Sequence, residues 1–153
     1  MTDDPRPTIS GILGRDHREL DELWARVEAT PETDRPTRQR IFAAFRTGLL
    51  AHIAEEEEHL FPKFDGTDPT LGALVDRLLD EHREIREILR GIDEAIRTGD
   101  VAIKRLGFEL VDALGEHNAR EENFAYPWLD GQLSPEQVEE VRRRLGSVDR
   151  SWP

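Results

Sequence analysis

The chain of 153 residues contains no cysteine. It therefore cannot form disulfides, thiolate zinc sites or cysteine-bound iron–sulfur clusters, and it has no cysteine nucleophile. Basic residues are also scarce: 21 Lys and Arg against 33 Asp and Glu give a formal net charge of −12. This acidic balance argues against nucleic acid and anionic membrane surfaces as partners. Any bound metal must be held by histidine, carboxylate and water.

Long apolar runs are missing as well. No stretch approaches the roughly 20 apolar residues of a membrane-spanning helix. The first residues, MTDDPRP, lack the apolar core of a signal peptide. These features predict a soluble, cytoplasmic protein. The chain is long enough to bury a core, and without a linker segment we expect one domain over residues 1–153.

Helix-forming residues dominate, and proline and glycine cluster where helices should end. Apolar residues at helical spacing predict four long helices, at about 8–29, 37–64, 69–98 and 101–129. Pro62 and Pro127 predict a kink or an early stop near two helix ends. Ser134 with Gln137 predicts the start of a short fifth helix to about residue 146, followed by a tail that includes Trp152. We therefore expect an all-α protein: an up-down-up-down antiparallel four-helix bundle over about 8–131, with the short helix packed outside it.

Four of the five histidines belong to an internal repeat that also contains two glutamates. Each member recurs 65 positions later: His17 as His82, His52 as His117, and Glu56 as Glu121. Each of the six lies on the apolar stripe of its helix, and each glutamate follows its histidine by one helical turn. A buried carboxylate needs a cation, a metal or a proton. The repeat thus predicts a pseudo-twofold metal site inside the bundle.

Six ligands suit two metals better than one. Each metal could take two histidines and share both glutamates as bridges, which leaves positions open for an exogenous ligand. Histidine and carboxylate with open positions are typical of non-haem iron, although zinc or manganese could occupy the same donors. The predicted cofactor is therefore a pair of iron ions.

The motifs around these residues resemble those of the hemerythrin-like, HHE cation-binding family. The resemblance covers about residues 8–131 and rests on four segments: DHRE at 16–19, HIAEEEEHLFP at 52–62, EHRE at 81–84 and HNAREENFAYP at 117–127. It implies a four-helix bundle with a bridged di-iron centre. His17, His52, His82 and His117 would be terminal ligands, and Glu56 and Glu121 the bridges.

The pattern is similar to the family branch with four histidines and two glutamates. Oxygen-carrying members have a second histidine on the third helix, whereas this chain has Arg86 four residues after His82 and Leu78 four before it. The resemblance implies a centre that reacts with or senses dioxygen, nitric oxide or peroxide. The alternatives are a non-catalytic iron-binding, storage or sensing bundle that a partner reads, and a structural bundle without metal.

Several nearby residues have more than one interpretation. A ferritin-like site would need Glu-x-x-His on two helices, and only Glu56–His59 matches. We interpret His59 as a rim histidine rather than a ligand. Tyr126 is expected to pack at the bundle end, with a place in the site as the alternative. Asp16 and Glu81 are interpreted as surface salt-bridge residues that could instead orient histidines, and Glu57 and Glu122 as solvated residues that could do the same.

Overall fold

The computed structural model describes residues 6–150, and within this range it contains helices and no strand. Residues 1–5 and 151–153, which include Trp152 in the predicted tail, lie outside the described part. The α-helices are α1 Ile9–Ala29, α2 Arg35–Glu55, α3 Pro69–Thr98, α4 Ile103–Arg120, α5 Tyr126–Asp130 and α6 Pro135–Gly146. A π-helical segment, Glu56–Leu60, and a 3₁₀ turn, Phe61–Phe64, follow α2, and a second π-helical segment, Glu121–Ala125, joins α4 to α5.

The helices pack as the predicted bundle. α1 contacts α2, α2 contacts α3, and α3 contacts α4, while α6 lies outside against α2. The all-α bundle with an extra C-terminal helix is therefore confirmed. None of the helices within residues 6–150 is long and apolar enough to cross a membrane.

Two apolar clusters lie on either side of a polar layer. The first is built around Trp24, Phe45, Leu89 and Leu110, towards the turns that join α1 to α2 and α3 to α4. The second is built around the following residues from the other end of the bundle and from α6: Leu13, Leu60, Phe61, Leu78, Leu129, Val138 and Val141. The short α6 completes this second cluster, so it closes one end of the bundle.

Local sequence explains where α1 and α6 begin. The Thr8 hydroxyl accepts a hydrogen bond from the Gly11 backbone N–H at 3.0 Å, which is a typical N-cap. At α6, the Ser134 hydroxyl accepts from the Gln137 N–H, and the Gln137 side chain accepts from the Ser134 N–H. This reciprocal capping box matches the start predicted from the sequence.

The second and fourth predicted helices are not regular to their ends. Regular α-helix stops at Glu55 and at Arg120, several residues before Pro62 and Pro127. The expected disturbance near the prolines is therefore present, but it begins earlier, at the two repeated glutamates. The chain remains helical through each π segment instead of stopping.

Gly99 offers a test of the turn that joins α3 to α4. Its φ of 73° is left-handed, and an added Cβ would also meet the Arg35 guanidinium. We expect Gly99→Ala to lower the free energy of unfolding by about 1 kcal/mol or more. Gly115→Ala is the matched control, because its added Cβ meets nothing within 4 Å and alanine favours helix by up to about 1 kcal/mol. Urea unfolding measures both, and equal changes in the two variants would contradict this account of the turn.

Candidate metal centre

Each repeated glutamate is the first residue of a π-helical segment. The backbone N–H of Phe61 donates to the Glu56 carbonyl, and that of Tyr126 donates to the Glu121 carbonyl, so both bonds span five residues. Proline follows directly in both copies and has no N–H to donate. The wider turn brings the residue five after each glutamate back towards the bundle interior. Such segments are common at functional sites.

The four repeated histidines form two pairs at the same level of the bundle. The Nε2 atoms of His17 and His52 lie 3.1 Å apart, and those of His82 and His117 also lie 3.1 Å apart. All four side chains are buried. The antiparallel helices therefore bring together histidines 35 residues apart in each copy of the repeat.

The two glutamates lie between these pairs. One Glu56 oxygen is 3.2 Å from His82 Nε2, and the other is 3.5 Å from His52 Nε2. Glu121 is placed in the same way, with one oxygen 3.2 Å from His17 Nε2 and the other 3.2 Å from His117 Nε2. Each carboxylate thus spans both histidine pairs, which is the arrangement a bridging ligand needs.

The donor atoms fall into two groups compact enough to hold a cation. One comprises Glu56, His82, His117 and Glu121, and the other comprises His17, His52 and Glu121; within each group the atoms lie within 4.8 Å of one another. The structure therefore brings all six predicted residues together. Their assignment as ligands stays a prediction.

Every one of the four histidines has a carboxylate at its outer nitrogen. His52 Nδ1 donates to Asp16 at 2.7 Å, and His82 Nδ1 donates to Glu57 at 2.7 Å. The repeat-related contacts are His117 with Glu81 at 3.1 Å and His17 with Glu122 at 3.5 Å. The hydrogen bonds at His52, His82 and His117 set the tautomer that leaves Nε2 free for a metal. Asp16 and Glu81 orient histidines rather than acting only as surface residues, which corrects the sequence-based interpretation.

Arginines stabilise three of these four carboxylates. Arg150 donates to Asp16, with one contact at 3.0 Å. Arg120 donates to Glu81 at 2.8 Å, and Arg86 donates to Glu57 at 2.9 and 3.1 Å. Although burial raises the pKa of Asp16, its bonds from His52 and Arg150 lower it below the ordinary value. Sequence spacing gives no signal for Arg120 and Arg150, because they reach their partners only through tertiary packing.

Tyr126 lies inside the centre rather than only packing at the bundle end. Its hydroxyl is 2.7 Å from a Glu56 oxygen, 3.0 Å from Glu121, and 3.2 Å from Nε2 of both His17 and His52. The hydroxyl donates to the nearer carboxylate, Glu56. The sequence signal for this position is the five-residue step from Glu121 through the π segment.

The repeat-related position of Tyr126 is Phe61, and the two rings play the same packing role. Tyr126 stacks on His17 with ring centroids 5.7 Å apart, and Phe61 stacks on His82 at 5.6 Å. Only the tyrosine brings a hydroxyl. The two halves of the centre are therefore chemically different. His59, by contrast, lies outside the centre, with its side chain 41% exposed.

The buried charges of the metal-free centre shift its pKa values strongly. Burial lowers the pKa of His52, but the charges of Glu56 and Asp16 outweigh it and raise the pKa to about 10. His117 behaves alike through Glu121 and reaches about 9. Burial and the neighbouring Glu56 charge raise the pKa of Glu121 to about 8. When no metal is bound, the protons on these groups compensate the negative charge of the buried carboxylates.

A family comparison agrees with this geometry. The model of the hemerythrin HHE cation-binding domain matches residues 8–143. The chain belongs to the hemerythrin HHE family. No curated protein and no solved structure matches it significantly. Cation binding by this HHE domain follows from the family and from the buried histidine–glutamate cluster together.

The residues of this HHE centre fit a metal cation on an independent ground. One oxygen of Glu56 and one of Glu121 are buried and have no hydrogen-bond partner within the described residues. A buried carboxylate oxygen without a partner is costly. Both oxygens face the His82–His117 pair, and a cation held there would satisfy both.

The pH dependence of the stability of metal-free protein tests whether protons on His52, His117 and Glu121 compensate the buried carboxylates. The folded pKa values of about 10 for His52, 9 for His117 and 8 for Glu121 lie above their unfolded values. The stability they add is complete at low pH and is lost as pH rises through the folded values. His17, lowered to about 4, has the opposite sign, but it acts only below its unfolded value near pH 6.5.

We therefore expect metal-free protein to lose stability between pH 7 and 9, by up to about 1.4 kcal/mol per pH unit for each proton released. Metal-loaded protein should show a flatter profile, because bound histidines carry no proton at Nε2. Denaturant unfolding at a series of pH values measures both forms. A metal-free profile that is level or rises over this range would show that these protons do not compensate the buried carboxylates.

Tyr126→Phe removes one hydroxyl and almost no volume. It leaves the buried Glu56 carboxylate without its closest donor, so we expect metal-free stability to fall by about 1–3 kcal/mol. Metal content should be unchanged, because the six predicted ligands remain. Urea unfolding and metal analysis report the two effects separately. Unchanged stability would mean that the hydroxyl contributes nothing to the centre.

Proposed function

We propose that this chain holds two iron ions as a carboxylate-bridged non-haem centre that reacts with or senses dioxygen, nitric oxide or peroxide. The observation that carries the proposal is the placement of Glu56 and Glu121. Each presents one oxygen to each histidine pair, with separations of 3.2–3.5 Å. A single cation would leave one of the two histidine pairs without a metal.

The chain's own residues would divide the work as follows. His17 and His52 would hold one ion, His82 and His117 the other, and the two glutamates would bridge them. Four protein bonds per ion leave open positions, through which iron, when bound, supplies redox chemistry and a place for a small ligand. Zinc or manganese could replace iron at the same donors.

The surroundings favour a small, uncharged ligand. Leu13 and Leu78 lie one helical turn before His17 and His82, and Leu20 and Ile85 lie about one turn after them; all four are nearly inaccessible to solvent. These buried apolar side chains leave little room for a large substrate. Among residues 6–150, Tyr126 is the one hydroxyl donor within reach of both glutamates and of His17 and His52. It could donate to a ligand once the glutamates are occupied by metal.

A non-catalytic role, in iron storage or sensing read by a partner, is the second candidate. It is favoured by a direct connection from the centre to the far C-terminal end of the described chain. Arg150 donates to Asp16, and Asp16 accepts from the ligand candidate His52. Metal at Nε2 of His52 would change the charge that faces Asp16, and so how strongly Asp16 and Arg150 hold the C-terminal segment, with the side chains in place. A partner would recognise that change.

Metal analysis after anaerobic iron loading tests the centre. We expect about two irons per chain in the wild type and a loss of at least half of them in Glu121→Ala, because the variant removes a ligand from both ions. Glu58→Ala is the matched control, since Glu58 lies in the same acidic run with its side chain 70% exposed. Fewer than one iron per wild-type chain, or equal contents in the two variants, would rule out the di-iron proposal.

Turnover separates the two candidate roles. The iron-loaded wild type is mixed with excess peroxide or nitric oxide, and consumption is followed over many equivalents. Repeated consumption supports an enzyme. A single stoichiometric reaction supports a sensor or store.

A further inference from the structure

A groove of about 460 Å³ lies between α1 and α4 and leads to His17. Its polar lining is mainly acidic, with Asp21, Glu28 and Glu122, and the one arginine is the exposed Arg18. Asp21 lies one helical turn beyond His17 on the same helix. The groove therefore joins solvent to one edge of the candidate centre through carboxylates.

His17 is the ring that faces this groove. It is 4% exposed, and its Nδ1 atom makes no hydrogen bond, whereas the other three ligand histidines each donate from Nδ1 at 2.7–3.1 Å. Glu122, which also lines the groove, lies 3.5 Å from this nitrogen. A buried, unsatisfied ligand at the end of an acidic groove points to a cation.

The repeat provides an internal comparison on the opposite face of the bundle. At the positions 65 residues from those of the groove, Arg86 replaces Asp21, Arg90 replaces Ala25, Arg46 replaces Val111, and Leu50 replaces Gly115. The opposite face between α2 and α3 is therefore basic and bulky. A cation would be repelled there.

The two repeat-related glutamates also differ in how they are held. Glu57 accepts two bonds from Arg86, and its side chain is 26% exposed. The side chain of Glu122 is 45% exposed, and no arginine within residues 6–150 forms a salt bridge with it. In the first copy of the repeat, Asp21 occupies the position that corresponds to Arg86. No arginine of the described residues therefore holds Glu122 in place between the groove and His17.

We propose that divalent metal enters the centre through the α1–α4 groove, where Asp21 and Glu122 bind it transiently and deliver it to His17. This inference rests on the proposed metal centre. Carboxylate oxygens bind divalent cations readily, and an acidic cleft raises their local concentration and their rate of association. One route is enough, because each bridging glutamate faces both histidine pairs.

The test is the rate at which metal-free full-length protein takes up Co²⁺ at low ionic strength, followed by stopped-flow absorbance. Asp21→Arg copies the opposite face, and we expect uptake about tenfold slower with the same final cobalt content. Asp93→Arg is the matched control. It makes the same charge change at an exposed position on α3 that corresponds to Glu28 in the repeat. Its rate should stay close to that of the wild type.

A second variant tests the route by steric blockage. Gly115→Leu copies Leu50, and a Cβ added at Gly115 meets no atom within 4 Å. We expect slower uptake with unchanged final content, and this effect should persist at high salt. The effect of Asp21→Arg should shrink at high salt, because it is electrostatic.

Each other outcome overturns the route. Equal rates for Asp21→Arg and Asp93→Arg would show that metal enters elsewhere. A lower final content in Asp21→Arg would show that Asp21 belongs to the resident centre. These failures require a wild type that loads fully. A wild type that takes up no cobalt removes the metal centre itself, so the two proposals fail in different ways.

Discussion

The carboxylates of Glu56 and Glu121 lie side by side within an apolar bundle, and neither is exposed to solvent. Two such charges cannot both be ionised there without compensation, and much of the surrounding polar structure supplies it. Histidines face each carboxylate, and Tyr126 donates to Glu56. Outward from the histidines come further carboxylates, and arginines back three of them. From the centre to the surface, groups that carry negative charge alternate with groups that can carry positive charge. Each buried carboxylate therefore has a compensating neighbour, although the chain as a whole is acidic.

This alternation also explains why the centre is poised for metal. In the absence of a cation the compensation is made by protons, since burial and Glu56 raise the pKa of Glu121 and carboxylates raise those of His52 and His117. A metal pair would displace these protons and satisfy the same carboxylates. The outer partners do not need to move, because they contact Nδ1 and not Nε2. The bundle can therefore accept metal while the carboxylates that contact Nδ1 keep their positions.

Helical spacing made the fold and the six clustered residues predictable. His52 and Glu56 share a face because they are four residues apart, and the equal lengths from His82 and His117 to their common turn place them level. The π segments were not predictable by that reasoning, since it assumes a regular turn through Glu56 and Glu121. The place of Tyr126 depends on that irregular turn. Arg150 lies 134 residues from Asp16, so only the packed structure reveals the contact.

The repeat is kept most strictly where the two halves must act together. The glutamates contact both histidine pairs, so a change in either copy would alter the whole centre. Positions outside the six repeated residues have diverged, such as Tyr126 against Phe61 and Asp21 against Arg86. A second open groove would add a path for water to the buried carboxylates and weaken the electrostatics that orient the histidines. The acidic groove lies at one face of the bundle and the basic side chains lie at the other, so the two copies of the repeat differ at positions outside the shared centre.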